Sequence, residues 1–333
     1  MSEEAIGLLR FADTRLPDEL AGLDLNDFDR IILTGMGGSD CASIPCELRL
    51  ARAGLPVWRL LTGRLLEMQG LVTTDTLLVI TSQSGRSGEV VALLERLERK
   101  PRAIIGITDD ATSPLAAAAN HVVLLSSGRE ATVATKSYAN TLAAFHRLAG
   151  MLLEQRDVAA VDEIRAAAES LQGQIDRANP AVDDLLRRLP GHPGPRLALI
   201  GSGPDAATAL AGAMVLKEAA KVAAEGYIGG AFRHGPLELA GPGLAAILFG
   251  AGSAAEGSPN ALARDVAATG SIVVTVAPAA YGGSELIAIP GATGLERLVH
   301  GMYVVQRLSV GLAHSAGLVP GAFLYGQKIT AQL

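Results

Sequence analysis

Two short loops hold the residues with the most chemistry to offer. Thr81-Ser82-Gln83-Ser84-Gly85-Arg86-Ser87-Gly88 leads from an apolar run into a stretch with helical periodicity. The hydroxyls of Ser82, Ser84 and Ser87, the Gln83 amide and the backbone amides can all donate to the oxygens of an anion. Arg86 adds a planar cation suited to a bidentate grip on an oxyanion. A serine before a helix is also a common N-cap, but one hydroxyl suffices for that. Three hydroxyls with an arginine exceed a cap, and the pattern predicts an anion site. The Gly-Lys-Ser/Thr ending of a nucleoside-triphosphate loop is absent. The other loop is Thr34-Gly35-Met36-Gly37-Gly38-Ser39-Asp40. Its glycines allow close backbone approach, and free amides at a helix start favour negative charge. It is not the Gly-x-Gly-x-x-Gly dinucleotide fingerprint. Alone, it reads equally as a tight turn or an anion cradle.

The elements that must position these loops repeat along the chain. Short Val/Ile/Leu-rich runs at Arg30–Thr34, Thr76–Thr81, Ala103–Thr108 and His121–Leu125 read as strands, each followed by a turn signal and most by helical periodicity. A second series runs through Arg196–Ile200, Leu244–Phe249, Ser271–Val276 and Leu286–Ile289. Between them lie the amphipathic stretch Val161–Leu189 and the breaker run Pro190-Gly191-His192-Pro193-Gly194-Pro195. The expected architecture is α/β, with two tandem flavodoxin-like, doubly wound parallel sheets. The domain boundaries fall at residues 1–160, a connecting helix and linker at 161–195, and 196–333. Ligands of such sheets bind beyond the carboxyl ends of the strands, where both loops lie.

The totals agree. A chain of 333 residues suggests two domains. It is 49% hydrophobic, only 4% aromatic and carries 38 glycines, which suits buried parallel sheets. A net charge of −6 argues against a nucleic-acid partner. No apolar run is long enough to span a membrane, and the acidic start Met1-Ser2-Glu3-Glu4 is unlike a leader peptide. Cys41 and Cys46, five apart on one expected helix, do not suit a disulfide, so a reduced, cytoplasmic chain is expected. His121, His146, His192, His300 and His314 show no metal-ligand spacing, and no metal or other cofactor is expected.

With these residues in view, the chain resembles the sugar isomerase (SIS) family. Its members include the isomerase half of glutamine–fructose-6-phosphate aminotransferase, SIS-type glucosamine-6-phosphate deaminases and fructosamine-phosphate deglycases. Gly37-Gly38-Ser39 is similar to the first phosphate-side turn, and Ser82-Gln83-Ser84-Gly85-Arg86-Ser87 to the Ser-Gln-Ser-Gly-x-Thr/Ser phosphate loop. Glu130 through Ala134-Thr135-Lys136-Ser137-Tyr138 resembles a Glu-x-x-Val-Ala-x-Thr-Lys segment, about one residue shorter here. Leu216-Lys217-Glu218 and Arg233-His234-Gly235-Pro236 are similar to the Lys-Glu and Lys-His-Gly-Pro pair, with the same sixteen-residue separation. Gly317-Leu318 through Lys328-Ile329-Thr330 resembles the C-terminal tail.

The resemblance implies an aldose–ketose isomerase, or an amino-sugar isomerase that also releases ammonia, acting on a hexose or hexosamine 6-phosphate through an enediol-type intermediate. Glu218 would move the proton between C1 and C2, since a carboxylate takes and returns a proton from one position. His234, contributed by the neighbouring subunit of a homodimer, would assist ring opening. Lys328 would reach over the sugar; against the longer aminotransferase tail Gln327 falls there instead. Gly38, Ser39, Ser82, Gln83, Ser84, Arg86 and Ser87 would hold the phosphate, with Val133 and Ala134 against the substrate. With no glutaminase domain and no Cys at position 2, ammonia transfer from glutamine is not expected. Val215 and Ala211 stand where the aminotransferase has charged residues, and Val319 and Leu324 replace an acid and an arginine of the tail. Gly250-Ala251-Gly252-Ser253-Ala254 lacks the serine arrangement, so only the first domain is expected to hold phosphate. The alternatives are a non-catalytic sugar-phosphate-binding regulatory module, and the same fold acting on another anionic sugar such as a sulfonate or carboxylate. A regulator would usually carry a helix-turn-helix, which is not expected in the short acidic N-terminus.

Overall fold

The computed structural model describes residues 3–154, 156–190, 194–250, 257–291 and 293–328. The first sheet contains β1 (Arg30–Gly35), β2 (Val57–Leu61), β3 (Thr76–Thr81), β4 (Ala103–Thr108) and β5 (His121–Leu124) in the order β2-β1-β3-β4-β5. The second contains β6 (Arg196–Gly201), β7 (Ala224–Ile228), β8 (Leu244–Phe249), β9 (Ile272–Ala277) and β10 (Glu285–Ala288) in the order β10-β9-β8-β6-β7. All neighbouring strands pair in parallel. In each half the first strand is flanked by the second and the third, the flavodoxin-type order, so the architecture is two tandem units of one design.

The eight runs read as strands form strands to within one residue at either end. The other two, β2 and β7, are the matching edge strand of each half. A central strand is buried on both faces and needs an unbroken apolar run, as in β3 (TLLVIT), where every residue is buried. An edge strand escapes that demand. Arg59 interrupts β2, whose Trp58 and Leu61 stay exposed, and Glu225 and Gly226 interrupt β7. Arg30 on β1 caps the exposed ring, its guanidinium carbon 5.3 Å from the Trp58 centroid.

Packing divides the chain inside the helix Val158–Ile175, between Arg165 and Ala166. The amphipathic stretch is two helices, Val158–Ile175 and Pro180–Arg188, because Pro180 starts a new helix capped by Asn179. Sequence order alone assigns the tail to the second domain. The contacts instead put the segment from Tyr325 with the first unit, where Lys328 finds hydrogen-bond acceptors. The apolar run from Leu295 is covered within its own unit: the helix Gly294–Ser315 lies against the helix Ala206–Ala220, and most of its apolar residues are buried. Cys41 and Cys46 lie on two helices, Gly38–Ala42 and Ile44–Arg52, because Pro45 opens the second. Both thiols are free, and burial pushes each up to about 12, so neither is a nucleophile at neutral pH. Among the described residues no helix is long and apolar enough to cross a membrane.

Candidate active site

β1 and β3 are neighbours in register, with Gly35 opposite Thr81. Their following loops therefore emerge side by side at the carboxyl edge, where the strand order reverses direction. A cavity of about 370 Å³ opens between them. Gly38, Ser39, Ser82, Gln83, Ser84, Ser87, Ala134 and Lys328 all line it. The two loops, far apart in sequence, thus form one site in the first unit.

The backbone of the serine loop is pinned from below. Ser82 N–H donates to Ile107 O at 3.0 Å, Gly85 N–H to Ser82 O at 2.9 Å and Asp109 N–H to Gln83 O at 2.9 Å. Gly85 has φ +61°, and a Cβ there would lie 2.1 Å from Ser113 Oγ, so this turn admits only glycine. Ser87 stands at the N-cap of the helix Gly88–Arg96 but makes no side-chain cap bond. Its hydroxyl sits 3.4 Å from that of Ser82. Capping therefore does not account for Ser87, the Ser84 hydroxyl accepts from Arg86 N–H at 3.2 Å, and all three serines line the cavity.

Arg86 differs from the sequence expectation. Its Nε and Nη2 donate to Asp110 Oδ2 at 3.0 and 2.8 Å, and Nη2 also reaches Thr112 O at 3.2 Å. The oxyanion it grips is the protein's own, and it lines a neighbouring cavity of about 370 Å³ with Asp109, Asp110, Arg129, Glu130 and Lys328. The hydroxyl and amide of Thr112, then Arg86, hold the Asp110 carboxyl down to about 2. The sequence signal for this competition was the Asp109-Asp110 pair after β4, the strand next to β3.

Beneath the glycine loop, Asp40 is buried and paired with Arg59 of β2, which also bonds Glu47 at 3.0 Å. Burial raises the Asp40 carboxyl, and Arg59 works against that shift. The far wall comes from the helix Lys136–Glu154, whose Ser137, Tyr138 and Thr141 line the cavity, as do Met36 and Glu89. Ser137 and Thr141 are four apart and share a helical face, a spacing that sequence reasoning could have used. Val133 is a buried core residue outside the lining. Lys136 turns away, its Nζ bonding Glu3 at 2.6 Å and Arg129 O at 2.9 Å.

Lys328 Nζ donates to Thr132 O at 2.5 Å and lies 3.5 Å from Glu130 Oε2. Gln327 is not among the lining residues. Glu218 and His234 belong to the second unit, and both are exposed. Glu218 lies in the last turn of the helix Ala206–Ala220, which ends as Lys221 takes a left-handed conformation at φ +57°. Glu225 is therefore not on a continuation of that helix but on β7, with Lys217 3.9 Å away. His234 follows the turn Gly229–Arg233. Residues 251–254 of the counterpart loop lie outside the described residues.

Residues 24–151 match the SIS domain family. A glutamine–fructose-6-phosphate aminotransferase of Pyrococcus horikoshii is 30% identical over 225 residues, 66% of this chain and 37% of that protein. The chain spans 29–40% of the length of the first four curated relatives it matches. Two solved structures share the fold over nearly the whole chain. The C-terminal domain of glucosamine-fructose-6-phosphate aminotransferase from Francisella tularensis superposes with a TM-score of 0.81 at 17% identity, covering 96% of each chain. Glucosamine-6-phosphate deaminase from Thermotoga maritima gives 0.75 at 17% identity, covering 98% of this chain and 97% of that one.

Proposed function

We propose that this chain, which carries an SIS domain at residues 24–151, is an aldose–ketose isomerase or amino-sugar isomerase/deaminase acting on a hexose or hexosamine 6-phosphate. The observation that carries this reading is the cavity at the strand-order reversal, where Ser82, Ser84, Ser87, Gln83 and Ser39 line one space together with Lys328. Hydroxyls and amides in this number suit a phosphate, whose oxygens accept several hydrogen bonds each. Lys328, 3.5 Å from Glu130 Oε2, adds an amine to the same lining.

In the proposed reaction Glu218 carries the proton between C1 and C2 of the opened sugar, and His234 of a second copy of the chain assists ring opening. The exposure of both side chains fits a site completed by a homodimer partner. The test is turnover of glucosamine 6-phosphate, glucose 6-phosphate and tagatose 6-phosphate in heavy water, followed by NMR for ketose, ammonia and deuterium at C1 or C2. Glu218→Gln keeps shape and hydrogen bonding but removes the acceptor, so binding should persist while the rate falls by roughly 10²–10⁴. Glu225→Gln and Glu89→Gln are matched controls. Loss of turnover in either control, with Glu218→Gln active, moves the base elsewhere. Binding without any turnover or exchange by the wild type favours the regulatory module.

A further inference from the structure

Glu130 has no role in the reaction proposed above, yet its carboxylate is engaged on both oxygens beside the cavity. Its side chain is only 4% exposed. Oε1 accepts from Thr135 N–H at 2.6 Å and from Thr135 Oγ1 at 3.0 Å. Oε2 accepts from Ser137 Oγ and faces Lys328 Nζ at 3.5 Å. The partners come from two places. Thr135 and Ser137 belong to the segment that puts Ala134, Ser137 and Tyr138 along the cavity wall, while Lys328 arrives from the tail of the chain.

We infer that Glu130 is a positioning residue of this site: through one buried carboxylate it fixes both the cavity wall and the amine of Lys328. Lys328 lines both the serine-loop cavity and the neighbouring one that holds Arg86. An unanchored lysine on a chain tail samples many rotamers, and holding it at one place requires acceptors of fixed position. Glu130 and Thr132 O are those acceptors. The carboxylate is itself fixed, because the amide and hydroxyl of Thr135 and the hydroxyl of Ser137 direct both its oxygens. A neutral side chain of the same shape would lose the ionic attraction and turn an amide donor toward groups that are already donors.

The significance of Glu130 for catalysis rests on the sugar-phosphate reading, but its hold on Lys328 is measurable without any turnover. The probe is acetylation by an N-hydroxysuccinimide ester at limiting reagent, with each lysine read by peptide mass spectrometry on the full chain. Exposed Lys100 serves as the internal standard. In Glu130→Gln, Lys328 should acetylate about fivefold faster or more, the equivalent of losing one interaction of ordinary strength, while Lys100 keeps its rate. Glu130→Asp, a carboxylate drawn back by one methylene, should fall between the two. If Glu130→Gln does not fold, Glu130→Asp carries the measurement. An unchanged Lys328 rate in a folded variant overturns the inference. Titration with glucosamine 6-phosphate and with inorganic phosphate separates the two readings. Glu130→Gln should weaken the sugar phosphate severalfold and leave inorganic phosphate within about twofold, since the serine loop is untouched. Equal losses for both would show that Glu130 only supports the fold, whereas failure of the wild type to bind either would sink the sugar-phosphate reading and leave the labelling result standing.

Discussion

Acid should destabilise the second unit through His300. The residue lies on the helix Gly294–Ser315 and is fully buried. Its Nδ1 is 2.6 Å from Gln174 Oε1 and its Nε2 is 3.0 Å from Ser170 Oγ. With the Gln174 oxygen as acceptor, the ring is the Nδ1–H tautomer and Ser170 donates to Nε2. A second proton on Nε2 would meet only that hydroxyl, in a place where water is largely excluded. Burial therefore pushes the imidazole from 6.5 down to about 4, although Glu296 acts in the opposite direction. The folded value lies below the unfolded one, so the unfolded chain binds the extra proton first. Stability is complete above pH 6.5, falls as pH drops through the window from 6.5 to about 4, and stops falling below it. The whole span corresponds to about 3 kcal/mol, and the step from pH 7 to pH 5 to about 2 kcal/mol. NMR titration of the imidazole gives the folded value directly. Urea titrations followed on amide resonances of the second unit, at pH 7 and pH 5, give its consequence. His300→Gln, which keeps a donor and an acceptor, should lose about 2 kcal/mol less than the wild type over that step. An imidazole titrating near 6.5, or equal acid losses in both proteins, would refute the argument.

Two further expectations concern the serine loop. Gly85→Ala combines a positive φ with a Cβ placed 2.1 Å from Ser113 Oγ and 2.4 Å from Ser113 Cβ, and should cost about 2–5 kcal/mol from the two causes together. Gly70→Ala, with nothing within 4 Å of its Cβ and no positive φ, should cost nothing measurable; equal melting temperatures for the two variants would contradict the geometry. Ser84→Ala should weaken sugar-phosphate binding by about 1.5–3 kcal/mol in calorimetry, the worth of a hydrogen bond to a charged group. Arg86→Ala should weaken it much less, because that guanidinium already serves Asp110; the reverse ranking would put Arg86 on the ligand.

What the sequence determined by itself was whatever is encoded over a few consecutive residues. Continuous apolar runs marked the buried central strands, because both faces of such a strand must leave water. Gly and Ser immediately after β1 and β3 marked the loops, because those residue types serve tight backbone and exposed hydrogen-bonding groups. The edge strands β2 and β7 escaped notice because an edge tolerates Arg59 or Glu225 and so carries no unbroken run. Tertiary structure alone decided which of these pieces meet. The order β2-β1-β3 sets the glycine and serine loops side by side, and β4 brings Asp110 close enough to take Arg86 away from the cavity. The tail delivers Lys328 to Glu130, a contact between residues 198 positions apart. Pairings of that kind depend on strand order and chain return, and a buried carboxylate becomes legible as a hub only when its distant donors have been brought around it.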